Sequence, residues 1–225
     1  MFSDLIKIAF PKNCIGCSHS LNSNEKFLCS NCYFYFPKGE ASISINTETG
    51  QLFDSIPTIL GASHLFYFDK DGKTQKVLHE LKYKKNLNFG EYLGELMGVE
   101  FQSSLEDVDL VIPVPLHPKK EHQRGFNQST LLCNGISTVI QKPVSTEILI
   151  RTRFTETQTK KNREERIQNI KNAFELLNKK ELQDKTILLV DDVITTGSTL
   201  IECVNELNKA EGVRIKILLL AKASD

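Results

Sequence analysis

The chain has 225 residues, and its 28 Lys and Arg balance 28 Asp and Glu. That length holds one well-buried domain and a small appendage, but not two full domains. The neutral balance removes any global field that would announce a nucleic-acid or membrane partner, and no stretch stays apolar over the roughly 18 residues that a bilayer span needs. The opening MFSDLIKIAF lacks the layout of a secretory leader, so a cytoplasmic protein without membrane insertion is expected.

In chain order, the first distinctive feature is a cluster of cysteines, CIGC and CSNC, at Cys14, Cys17, Cys29 and Cys32. Each CxxC bends as a tight turn that presents two thiolates to one cation. A hairpin across the eleven intervening residues brings the second pair round to complete a tetrahedron. In a reducing compartment this spacing points to structural zinc rather than disulfides, and four protein ligands leave no open position for catalysis. Cys133 and Cys203 stand alone in apolar segments and read as small buried hydrophobes. The polar stretch ASISINTETGQ lacks helical apolar spacing and ends near Gly50, which sets a boundary between a zinc module over 1–45 and a larger domain over 46–225.

The larger domain alternates strands and helices. SHLFYF reads as a strand, the segment from Gly72 through TQKVLHELKY as a helix, and GEYLGELMGVEF as another helix. VDLVIPVP is a buried strand broken by prolines, GFNQSTLLCNGISTVIQ a helix, and KPVSTEILIR a returning strand. After a charged segment, KTILLVDDV is a strand, GSTLIECVNELNKA a helix and VRIKILLLA a final strand. Leu200, Cys203, Val204 and Leu207 mark the inward face of that last helix. Strand, helix and strand in close order predict a parallel sheet, and near-continuous aliphatic strands predict helices on both of its faces.

In such a sheet, ligands bind beyond the carboxyl ends of the strands, where the next helix begins with unpaired N–H groups. LLVDDVITTGST places Asp191 and Asp192 at such an end. Thr195, Thr196, Gly197, Ser198 and Thr199 follow, and the glycine lets the backbone approach while the hydroxyls add donors. This arrangement suits a ribose 5-phosphate, with the acids on vicinal hydroxyls and the turn on the phosphate. The chain has no GxxxxGK[ST] and no GxGxxG, so neither a nucleoside-triphosphate P-loop nor a dinucleotide fold is supported. The competing structural reading, an N-cap cluster, accounts for one acid but hardly for two.

LLVDDVITTGSTL resembles the signature of type I phosphoribosyltransferases, which bind 5-phosphoribosyl 1-diphosphate with magnesium. PVPLHPKKEHQRGFNQ, RTRFTETQTKKNREERIQNIKNAF and the four-cysteine module resemble, within that group, the ComF family associated with DNA uptake in natural competence. The resemblance covers nearly the whole chain. It implies a type I phosphoribosyltransferase-like fold, a mostly parallel sheet flanked by helices, with a small zinc-ribbon-like module. It assigns Asp191 and Asp192 to the ribose hydroxyls, Thr195 to Thr199 to the 5-phosphate, and the segment from Pro113 to Pro118, with Pro115, to the diphosphate. Lys120 and His122 stand where the family more often has arginine, Lys161 where it has leucine, and Ser198 where it has alanine.

Lys119, Lys120 and Arg124 follow the proline-rich turn and are positioned to meet the diphosphate leaving group, and Lys82 in LKYKKN is a second candidate. Arg151 to Lys171 carries seven basic residues against three acidic and resembles the loop that covers the active site in this class. The expected catalytic set is Asp191, Asp192 and Arg124, in displacement of diphosphate from the sugar's first carbon. Other readings stay open. A cationic groove could track single-stranded DNA without turnover, with Phe126 or Phe154 stacking on bases, or the zinc module could recruit a protein of the DNA-uptake machinery.

Overall fold

The computed structural model of the chain describes residues 12–68, 72–153 and 172–223. Short helix α1 (Ser30–Tyr35) lies in the cysteine-rich region, followed by strand β1 (Ile59–Phe68), helices α2 (Lys73–Tyr83) and α3 (Leu87–Glu100), and strand β2 (Leu110–Pro113). Next come α4 (Pro118–Arg124), α5 (Gln128–Ile140) and the short strands β3 (Leu149–Arg151) and β4 (Phe174–Leu176). The chain closes with β5 (Thr186–Ile194), α6 (Ser198–Leu207) and β6 (Arg214–Ala223).

Four strands form one sheet in the order β1, β6, β5, β2, and every neighbouring pair is parallel. Parallel strands need crossovers, and the helices that supply them cover both faces, so β5 is fully buried from Thr186 to Val190. Leu188 and Val190 pack on one side with α2, α3 and α5. Ile187 and Leu189 pack on the other with Leu200, Cys203, Val204 and Leu207 of α6, the face that the sequence spacing marks. Cys133 and Cys203 are both fully buried, as their apolar settings predict. On the first side, α3 and α5 meet at glycines. A Cβ on Gly94 would lie 2.2 Å from the carbonyl oxygen of Leu132, a separation no real side chain keeps.

Two segments depart from the sequence reading. HPKKEHQRG, to which the sequence assigns no element, carries a short helix: His117 caps α4 by accepting a hydrogen bond from the Lys119 amide, Pro118 opens the helix, and Gly125 closes it in the left-handed region at φ 90°. Proline at the start and glycine just past the end are standard helix boundaries. KPVSTEILIR is strand only over its last three residues, where β3 pairs antiparallel with β4. Its earlier part makes a single parallel bridge, Val144 with Val111 of β2. Phe174 belongs to β4 and is buried.

The cysteine-rich region shares a core with the sheet. Leu28, Phe36 and Ile43 pack in one cluster with Phe66, Phe89 and Leu93. Phe36 meets Phe66 edge-on with centroids 5.0 Å apart, and Phe27 meets Phe89 at 5.4 Å. Glu100 of α3 accepts a hydrogen bond from the Tyr33 hydroxyl and pairs with Lys38 at 3.0 Å. Lys38 and Ser44 form antiparallel bridges to Phe66 and Ala62 of β1. The polar stretch beyond is anchored as well, since Thr47 and Thr49 are buried and the Thr49 hydroxyl lies 2.7 Å from His64 Nδ1. Among the described residues, no helix is long and apolar enough to cross a membrane.

Candidate functional site

The site forms where β5 runs out of its buried aliphatic stretch. A carboxylate there loses solvation and needs partners. Asp191 Oδ1 accepts hydrogen bonds from the Ser129 hydroxyl and from the Asp192 amide, each at 2.9 Å. Asp192 Oδ2 pairs with Lys82 Nζ of α2 at 3.0 Å, with 15% of its side chain exposed. Both acids are thus held from the same layer of helices, Asp191 by α5 and Asp192 by α2. Burial, and behind it the charge of Asp192, pushes the Asp191 carboxyl up to about 7, against the pull of its two hydrogen bonds and of Lys82.

Ser129 reaches Asp191 because the start of α5 is fixed. Asn127 caps the helix by accepting from the Ser129 amide, and its own Nδ2 donates to the Val114 carbonyl just beyond β2. Val114 in turn donates its amide to Val190, so the ends of β2, β5 and α5 are tied together. The sequence singled out neither Ser129 nor the Lys82–Asp192 pair. A serine two residues past an asparagine cap is a weak signal, and nothing in LKYKKN says which acid it meets.

Beyond Asp192 the chain turns through Thr195, Thr196 and Gly197 into α6. Gly197 sits in the left-handed region at φ 75°, where a side chain would be strained. Among the described residues no side chain caps α6, so its first amides face the turn without an internal partner. Thr196 and Ser198 share a hydroxyl hydrogen bond of 2.9 Å, Ser198 is buried, and Thr195 is exposed. Two carboxylates, an open helix start and a hydroxyl-lined turn therefore adjoin within nine residues of one strand end.

The proline-rich turn from Pro113 to Pro118 borders a cavity of about 230 Å³ lined by Pro115, Asn127, Thr146 and Arg151, among others. Arg151, which the sequence offers only as the start of a basic segment, lies in β3 with its guanidinium 5.2 Å from the Phe174 ring centre. Lys119 is exposed at the start of α4. Lys120 and Arg124, one helical turn apart, instead line a cleft facing the end of α2 together with Lys82. Phe126 is buried and offers no face for stacking on a base. Of the covering loop expected from Arg151 to Lys171, Arg151 belongs to β3, and residues 154–171, with Phe154 and Lys161, lie outside the described residues.

The four cysteines come together as their spacing predicts, with all four sulfur atoms within 4.8 Å of one another. Cys17 and Cys29 sulfurs are 3.7 Å apart, close to the roughly 3.8 Å expected between thiolates tetrahedral about one zinc ion. The Cys29 amide donates to Cys14 Sγ at 3.2 Å and the Cys32 amide to Cys29 Sγ at 3.4 Å. Burial opposes ionisation of Cys14, but such backbone N–H donors outweigh it and bring the thiol to about 7. The set can hold zinc.

The phosphoribosyl transferase domain family matches residues 129–225. Over 151 residues the chain is 32% identical to DNA utilization protein YhgH of Escherichia coli O157:H7, a match covering 65% of this chain and 66% of that protein. It therefore spans just under two thirds of that relative's length. It is 40% identical over 116 residues to Competence protein F of Haemophilus influenzae, covering 51% of each chain. With Competence protein ComFC of Bacillus subtilis it shares 35% over 107 residues, covering 46% of this chain and 41% of that one. Among solved structures it is similar to a purine phosphoribosyltransferase from Pyrococcus horikoshii Ot3, at 18% identity and a TM-score of 0.36, covering 60% of this chain and 73% of that one.

Proposed function

The chain belongs to the ComF family of proteins with a phosphoribosyltransferase domain, and on that premise we propose that it binds 5-phosphoribosyl 1-diphosphate together with magnesium. Asp191 and Asp192 accept from the ribose hydroxyls. The amides at the start of α6 and the hydroxyls of Thr195, Thr196, Ser198 and Thr199 hold the 5-phosphate, with Gly197 allowing close approach. The turn around Pro115, with Lys119, Lys120 and Arg124, takes the diphosphate. Magnesium would be held at this strand end by Asp191 and Asp192 together with the substrate, and it would supply positive charge to offset that of the diphosphate.

The reaction class is displacement at the sugar's first carbon. A nucleophile forms a bond to that carbon as its bond to the diphosphate oxygen breaks, and the electron pair leaves with diphosphate. The aspartates act as position-holders, and Arg124 and Lys119 offset leaving-group charge. The names of the relatives, competence and DNA utilization, support a role in DNA uptake, with proteins of that machinery as partners, and zinc is structural in the module.

The observation that carries this reading is the pair of adjacent carboxylates, each held by its own partner, directly before an uncapped helix start. Calorimetry with 5-phosphoribosyl 1-diphosphate tests it. Binding should require magnesium and disappear in Asp191→Asn and in Asp192→Asn, and unchanged affinity in those variants refutes the assignment. A diphosphate-release assay across nucleobases and short DNA then separates a transferase from a protein that binds without turnover.

A further inference from the structure

The turn that leads into α6 rests on a floor, and part of that floor comes from a distant piece of the chain. A methyl group built on Gly197 would stand 3.6 Å from Ile194 Cδ1 and 3.6 Å from Phe53 Cζ, so the Phe53 ring lies against the turn. Phe53 has no exposed surface and shares a buried cluster with Ile194 and Leu200, which flank the turn on either side. It belongs to neither β5 nor α6. It closes a short 3-10 helix, Gly50–Phe53, that precedes β1. Hydrogen bonds fasten this helix to β1: the Thr47 hydroxyl donates to the Ala62 carbonyl, the Gly50 amide donates to the Thr47 hydroxyl at 2.9 Å, and the Thr49 hydroxyl lies 2.7 Å from His64 Nδ1. Thr47, Thr49 and His64 are buried, where such bonds are stronger than in water.

A floor matters here because the turn does little to hold its own shape. Glycine gives the backbone more conformations than any other residue, and among the described residues no side chain caps the helix that follows. Successive amides bind an anion well when they converge on one place, and a misplacement of about 1 Å in a positioned group can cost up to about a hundredfold. Phe53 is anchored to β1, two strands away from β5, so its ring supports the turn from an element that neither β5 nor α6 carries with it. We infer that Phe53 is a positioning residue for the phosphate end of the ligand: its ring holds the Gly197 turn in the conformation that aims the first amides of α6 at the 5-phosphate, and the Thr49–His64 contact holds the ring. The inference rests on the reading of this turn as the phosphate site. Phe53 lies beneath the turn and acts through the backbone, not on the ligand.

Calorimetry on the full-length, zinc-loaded protein tests this in the presence of magnesium. Two ligands are titrated separately: 5-phosphoribosyl 1-diphosphate, which carries the 5-phosphate, and inorganic diphosphate, which lacks it. Phe53→Leu should weaken the first about tenfold and change the second by less than about twofold. Thr49→Val keeps the shape of the side chain and removes its hydroxyl, and it should weaken the first ligand about threefold with the second again unchanged. It carries the same comparison if the leucine variant does not fold. Phe101→Leu, at a buried phenylalanine of the opposite cluster, controls for lost packing and should leave both affinities unchanged. Equal loss of both ligands in Phe53→Leu would mark a general loosening of the protein, and an unchanged preference for the sugar ligand in both variants would mark the ring as uncoupled from the turn. Either result overturns the inference alone. Wild-type protein that binds neither ligand, or binds both equally, removes the phosphate site itself and the inference with it.

Discussion

Asp191 combines two demands that conflict. Its place at the strand end half-buries it beside a second acid, and the lost solvation, with the charge of Asp192 behind it, pushes its carboxyl up from the ordinary 3.8 to about 7. Between those values the folded state binds more protons than the unfolded state, so this residue's contribution to stability falls as pH rises toward 7 and stays unfavourable above it. Asp191→Asn should therefore stabilise the protein at pH 8, by about 1–3 kcal/mol, with the gain fading toward pH 4. Denaturant unfolding at both pH values measures this, and equal effects at the two would contradict it. The sequence located the acid pair from its place after an aliphatic run. It did not locate Ser129, and it offered Lys82 as a cation for the diphosphate rather than as the partner of Asp192, because periodicity reports which face a residue occupies and not which distant residue it meets.

Individual elements were legible where periodicity was strong and illegible where it was short. The helix after Gly197 and the long strands β5 and β6 follow directly from their patterns. Helix α4 was missed although Pro118 and Gly125 mark its two ends, because a seven-residue charged segment has no apolar stripe to announce it. Strands of three residues such as β3 and β4 are too short to show alternation. The α3–α5 contact was invisible for another reason: glycines carry no hydrophobic signal, yet Gly94 is where the two helices touch. Gly94→Ala should destabilise the fold by about 1–3 kcal/mol despite the better helix propensity of alanine, because the new methyl group meets backbone rather than a movable side chain. Chemical denaturation reads this directly, and a neutral or stabilising result would show that the helices can separate freely.

At the scale of the molecule, the two-part plan read from the sequence rests on polarity and cysteine spacing, and these do not reveal how much the parts share. Cys14, Cys29 and Cys32 belong to the same buried cluster as Phe66, Phe89 and Leu218. Removing zinc should therefore destabilise the sheet along with the module. In calorimetry, chelation should move a single unfolding transition down by more than about 10 °C, given the size of structural zinc binding energies. A second, separate transition that alone responds to the chelator would mean that the parts fold independently. The packing of the module has one more consequence. β1 and β2 are the outer strands of the four, and their open backbone is where another polypeptide could add itself. Lys38 and Ser44 already bond along β1, and Val144 along β2. Any partner that docks by extending the sheet must first displace a piece of this chain, which favours recognition through side chains on the helical faces over strand addition.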